Sequence, residues 1–116
     1  MCECVRDNRA MNEKLQTILT ELRTKLTALY GDRLVNVTLF GSQARGDATP
    51  ESDIDVMVVL QGKVNPHQEI DRTSALTAGL SLKYDTLIST LFVAEDRFQS
   101  ELSPLLMNVR REGVPV

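Results

Sequence analysis

Met11, Leu15, Ile18, Leu19, Leu22, Leu26 and Leu29 recur at steps of three and four, the repeat of one face of a helix. The pattern predicts a helix from Asn12 to Tyr30, capped by Asn12 and stopped by Gly31, with Glu13, Lys14, Glu21, Arg23 and Lys25 largely toward solvent. The period then changes. Leu34 to Phe40 and Ile54 to Leu60 are short runs rich in β-branched and apolar residues, the first bounded by Gly31-Asp32 and Gly41-Ser42, and both read as strands. The second is apolar at nearly every position, so both of its faces are expected to be covered, as in a central strand between helical layers.

A weaker helical pattern between Pro66 and Leu82 is interrupted by Gly79. Tyr84 to Val93 reads as a third strand, and Ala94 to Glu101 as a helix with acids in its first turn. Ser103-Pro104 breaks that helix and opens a last one, Leu105 to Glu112, which stops at Gly113. The order α-β-β-α-β-α-α predicts an α/β fold, a small mixed sheet flanked by helices. Residues 1–11 are expected to form a flexible tail and residues 12–116 a single domain.

Composition excludes several classes. Of the 116 residues, 42% are hydrophobic and 25% charged, the balance of a globular domain and not of a disordered or fibrous chain. Apolar stretches such as Val56 to Leu60 fall far short of the roughly 20 residues that span a bilayer, and the polar N-terminus lacks the apolar core of a secretory signal, so a cytoplasmic location is expected. Cys2 and Cys4 with the lone His67 make neither a disulfide framework nor a zinc set; they read as free thiols and a surface histidine. A net charge of −3 gives no basic surface for nucleic acid, and an acidic chain that handles polyphosphates needs a cation between the two.

The chemistry concentrates between the first two strands. Gly41 and Ser42 follow the first strand, where glycine permits a tight turn and the amides with the serine hydroxyl can face phosphate oxygens. Asp53 and Asp55 open the second strand. With a side-chain period of two they project from one face, about 6.5 Å apart along the strand, and two hard carboxylates so placed suit Mg²⁺. The competing reading of the pair is a solvated turn into a buried strand, with Ser52 or Asp53 as a cap.

Gly41-Ser42, ten intervening residues, then Asp53-x-Asp55, with Ala44-Arg45-Gly46 and Ser52 as filler, resembles the motif of the DNA polymerase β-like nucleotidyltransferase superfamily and its minimal prokaryotic branch. The resemblance implies the palm-like nucleotidyltransferase fold, with Gly41 and Ser42 on the β- and γ-phosphates of ATP and Asp53 and Asp55 on two Mg²⁺ ions. It also implies a third carboxylate on a neighbouring strand. Asp85 is the candidate, as the acid inside the predicted third strand. Arg45 is assigned to phosphate, with pairing to Asp47 or Glu51 as the alternative; Lys63, Lys83, Arg110 and Arg111 read as solvated charges.

The minimal branch further implies a partner, a HEPN-family ribonuclease toxin, which the small protein adenylylates on a tyrosine and thereby neutralises as an antitoxin. Two other readings stand beside this one. One is a non-catalytic, nucleotide-binding antitoxin that blocks its partner by contact; the other is transfer to a small molecule of the aminoglycoside type.

Overall fold

The computed structural model describes residues 13–41, 53–100 and 103–116. Helix α1 spans Glu13–Tyr30, a 3₁₀ turn Gly31–Arg33, strand β1 Leu34–Phe40, strand β2 Ile54–Leu60, helix α2 Pro66–Tyr84 and strand β3 Ile88–Ala94. Helix α3 at Glu95–Ser100, helix α4 at Pro104–Glu112 and a short strand β4 at Val114–Pro115 follow. Among the described residues the strands form one sheet in the order β3-β2-β1-β4. β1 runs antiparallel to β2 and β4, while β2 and β3 are parallel across the α2 crossover, so the sheet is mixed as expected. The expected cap Asn12 and the expected tail 1–11 lie outside the described residues.

Alternation along the strands divides two cores. Val37 and Leu39, the even positions Ile54 to Leu60 of β2, and Ile88 and Phe92 of β3 pack with Leu15, Ile18, Leu19, Leu22 and Leu26 of α1 and Leu80 of α2. On the other face Met57, Val59 and Val93 meet Leu106 and Val109 of α4, with Phe40 and Phe98 beside them. β2 is therefore buried on both faces, which is why its sequence is nearly all apolar.

The α1 stripe ends differently from its sequence reading. Leu29 is exposed, and Tyr30 closes the buried face, its hydroxyl donating to Glu69 Oε1 at 2.6 Å. Glu69 is buried too, and burial followed by this bond to Glu69 pushes the Tyr30 hydroxyl pKa well up.

Helix α2 begins as its chemistry dictates: the Asn65 side chain accepts from the Gln68 amide and Pro66 occupies the first turn. Its far end corrects the sequence reading. Gly79 does not interrupt the helix, which continues to Tyr84, and the third strand begins at Ile88 and not at Tyr84. The strand-forming preference of Tyr84 yields to a tertiary contact: its hydroxyl donates to Glu21 Oε1 of α1 at 2.6 Å, beside Lys83 Nζ at 3.0 Å. Helix α4 stands as expected, with the Ser103 hydroxyl accepting from the Leu106 amide. β4 was not anticipated; it adds to β1 at Thr38 and Leu39, and two residues are too few to carry a pattern.

Candidate active site at the start of the central strand

β1 delivers Phe40 and Gly41 to one end of the sheet, and β2 starts from the same end because the two strands are antiparallel with Phe40 opposite Asp55. Directly opposed residues on neighbouring strands point to the same side, so Asp55 shares the α4 face with Phe40. Ile54 between the two aspartates turns to the other face, where it is buried, and its amide donates to the Leu87 carbonyl at 2.9 Å. Asp53 is exposed and Asp55 half-buried. Burial first, and the Asp53 charge second, hold the Asp55 carboxyl above its ordinary range. The two acids therefore stand in each other's field, and among the described residues no lysine or arginine forms an ion pair with either.

Gly41 is a glycine for two reasons. Its φ is +78°, and a Cβ built on it would come 2.8 Å from Asp55 Oδ2. A side chain here would be strained by the backbone and would push the carboxylate aside. The turn and the acidic pair thus form one geometric unit. Ser42 and Arg45 lie outside the described residues.

Asp85 is placed differently from its sequence reading. It is the left-handed C-cap of α2, with φ 51° and ψ 52°, exposed, and its amide donates to the Ser81 carbonyl. Parallel pairing of Ile54 with Ile88 does bring the start of β3 beside the start of β2, so Asp85 belongs to the same end of the sheet. It is not gathered with the pair: among the described residues no three His, Cys, Asp or Glu side chains are grouped to hold a metal. The residue in register with Asp55 on β3 is Ser89, which sequence alone could not reveal because register depends on where β3 starts. His67 is a surface residue within 4.0 Å of Asp71, and Lys83 is bound to Glu21 instead of being free in solvent.

A larger concavity, about 890 Å³, opens at the opposite end of the sheet between Arg33, Lys63, Arg72 and Glu95. Its buried acid Glu69 is engaged by Tyr30 and lies 4.0 Å from Arg33 and 3.8 Å from Arg72. Size favours that cleft, but chemistry favours the smaller end, where two acids stand together and, among the described residues, no lysine or arginine pairs with either.

A mixed sheet flanked by helices, with two carboxylates at the start of its central strand beside a glycine turn, is an α/β fold with a candidate site at one end of the sheet. Residues 16–105 match the family model described as "Nucleotidyltransferase domain", and the chain belongs to that family and is a nucleotidyltransferase. It is 36% identical over 104 residues to the "Putative protein adenylyltransferase MJ0604" of Methanocaldococcus jannaschii, covering 89% of this chain and 96% of that relative. It is 31% identical to the "Protein adenylyltransferase MntA" of Thermococcus cleftensis over 78 residues, 67% of this chain and 77% of the relative. A solved toxin-antitoxin structure with AMP-PNP superposes with a TM-score of 0.57 at 21% identity, over 81% of this chain and 68% of that one, a likeness of fold. No helix among the described residues is long and apolar enough to cross a membrane.

Proposed function

We propose that the chain transfers AMP from ATP, in the presence of Mg²⁺, to a tyrosine hydroxyl of a HEPN-family toxin and so acts as its antitoxin. The observation that carries the chemistry is the acidic pair at the head of an apolar strand, packed against a turn that only glycine fits. The names of the relatives support a protein as acceptor, and the toxin-antitoxin fold neighbour supports the class of partner.

The residues present suit magnesium. Asp53 and Asp55 offer hard oxygens, and the raised pKa of Asp55 records a carboxylate with burial and then the Asp53 charge against it. Asp53 and Asp55 would hold Mg²⁺, which would neutralise phosphate charge and favour the ionised form of an acceptor hydroxyl. The chain's own part is positional. The Gly41 turn holds the Asp55 carboxylate in place, Gly41 and Ser42 are assigned to the β- and γ-phosphates, and Arg45 to phosphate. The acceptor oxygen forms its bond to the α-phosphorus, the bond to the bridging oxygen breaks, and pyrophosphate leaves with the released electron pair. The acceptor's proton passes to a base, for which Asp85 is the candidate from this chain.

Intact mass of the partner after coexpression tests the proposal. Wild type is expected to add mass in steps of one AMP, and Asp53→Asn and Asp55→Asn to add none. An unmodified partner that is nevertheless neutralised would replace transfer with blocking by contact. Asp85→Asn separates two versions of the site. Nucleotide binding with lost transfer makes it the third carboxylate, and full modification shows that another acid, or none, completes the site.

A further inference from the structure

On the face that carries Asp55, a concavity of about 230 Å³ is lined by Phe40, Gly41, Leu105, Asn108, Val109 and Glu112. Leu105, Asn108, Val109 and Glu112 recur at steps of three and four along α4, so one face of that helix forms one wall. Phe40 and Gly41 form the other. Phe40 lies opposite Asp55, and the Gly41 backbone approaches Asp55 Oδ2, so the concavity and the acidic pair share a wall one residue thick. Cα atoms of opposed residues in such a pair are about 4.5 to 5.5 Å apart, which is the scale of a ribose.

We propose that this concavity receives the base of the donor nucleotide and that Asn108 and Glu112 select adenine; the inference rests on the transferase reading above. A donor with its phosphates at the Gly41 turn and its α-phosphorus near Asp55 must place its nucleoside within one sugar of that point. This cavity lies there. Its walls are apolar at Phe40, Leu105 and Val109, and among the described residues its polar side chains are those of Asn108 and Glu112, a mix found in small-molecule sites generally. Whole drug-sized ligands occupy roughly 300 to 1,000 Å³, so this smaller space fits a heterocycle and leaves the phosphates outside.

The polar groups discriminate among bases. Asn108 Oδ1 accepts from Arg111 Nη2 at 2.7 Å, which fixes the amide and turns its NH₂ into the available donor. The Glu112 carboxylate, one helical turn on, only accepts, and its Oε2 lies 3.8 Å from the same Arg111 Nη2. A donor beside an acceptor complements a base edge that sets a ring nitrogen beside an amine, as adenine does. Guanine presents a carbonyl where adenine has its amine, and two acceptors then face each other.

Calorimetric titration of the full chain with Mg²⁺ and AMP-PNP, GMP-PNP or tripolyphosphate tests this. Leu105 is 45% exposed, so Leu105→Trp fills the cavity without entering the core, and Asn108→Leu changes an exposed side chain. Leu105→Trp is expected to weaken AMP-PNP at least tenfold and leave tripolyphosphate unchanged. Asn108→Leu and Glu112→Gln are expected to bring the AMP-PNP to GMP-PNP ratio toward one. Unchanged AMP-PNP affinity in Leu105→Trp and Asn108→Leu, with tripolyphosphate still bound, overturns the base pocket and leaves the transferase reading standing. Failure of the wild type to bind either AMP-PNP or tripolyphosphate overturns both.

Discussion

Two glycines with nearly the same backbone angle separate strain from function. Gly41 has φ +78° and Gly62 φ +79°, but a Cβ on Gly41 would lie 2.8 Å from Asp55 Oδ2, whereas one on Gly62 meets nothing within 4 Å. Alanine at either position incurs the left-handed penalty, about 1–2 kcal/mol. For a domain of this size that lowers Tm by roughly 5 to 10 °C. Only at Gly41 must something else move, and the movable group is the far end of the Asp55 side chain. The relaxation is therefore cheap in stability and costly in geometry. A misplacement on the order of 1 Å in a positioned group slows reactions about 100-fold. Gly41→Ala and Gly62→Ala are thus expected to melt within a few degrees of each other, while pyrophosphate release with the partner falls roughly 10- to 100-fold in Gly41→Ala alone. Full activity in Gly41→Ala, or equal losses in both variants, would refute the claim that turn and carboxylate form one unit.

Tyr30→Phe removes the hydroxyl that donates to buried Glu69 at 2.6 Å, and among the described residues leaves that carboxylate with Arg33 and Arg72 at 4.0 and 3.8 Å. The expected cost is about 1–3 kcal/mol, read as a lower urea midpoint at unchanged slope; an unshifted midpoint would show that the arginines suffice. Asp55→Asn should change how stability depends on pH in the presence of a chelator. The folded Asp55 holds its proton to higher pH than the unfolded chain does, so wild-type stability is full below the ordinary aspartate range and falls as pH rises through the raised folded value. Asparagine removes that decline. A wild type whose melting temperature rises with pH relative to Asp55→Asn would reverse the assigned sign.

Local periodicity was sufficient for the strands β1 and β2, whose bounds coincide with the expected ones, because both runs sit between turn-forming residues and no competing pattern overlaps them. The same holds for α4, where serine and proline act within one turn of chain. The acidic pair was legible for a related reason: two charges heading a strand buried on both faces are an anomaly visible without coordinates.

Asp85 shows where this legibility stopped. Tyr84 and Asp85 have local preferences that suit a strand, but the Tyr84 hydroxyl and the Lys83 amine both reach Glu21, more than sixty positions away in the chain, and these contacts hold the last turn of α2 helical. The strand then starts at Ile88, and the side chain beside Asp55 is that of Ser89. Sequence by itself determined the types of the longer elements, the buried central strand and the residues carrying charge at its head, since each depends on neighbours along the chain. Tertiary structure decided the register of β3, the exposure of Asp85, the contact between Gly41 and Asp55 and the cavity beneath α4, since each depends on which distant segment packs against which.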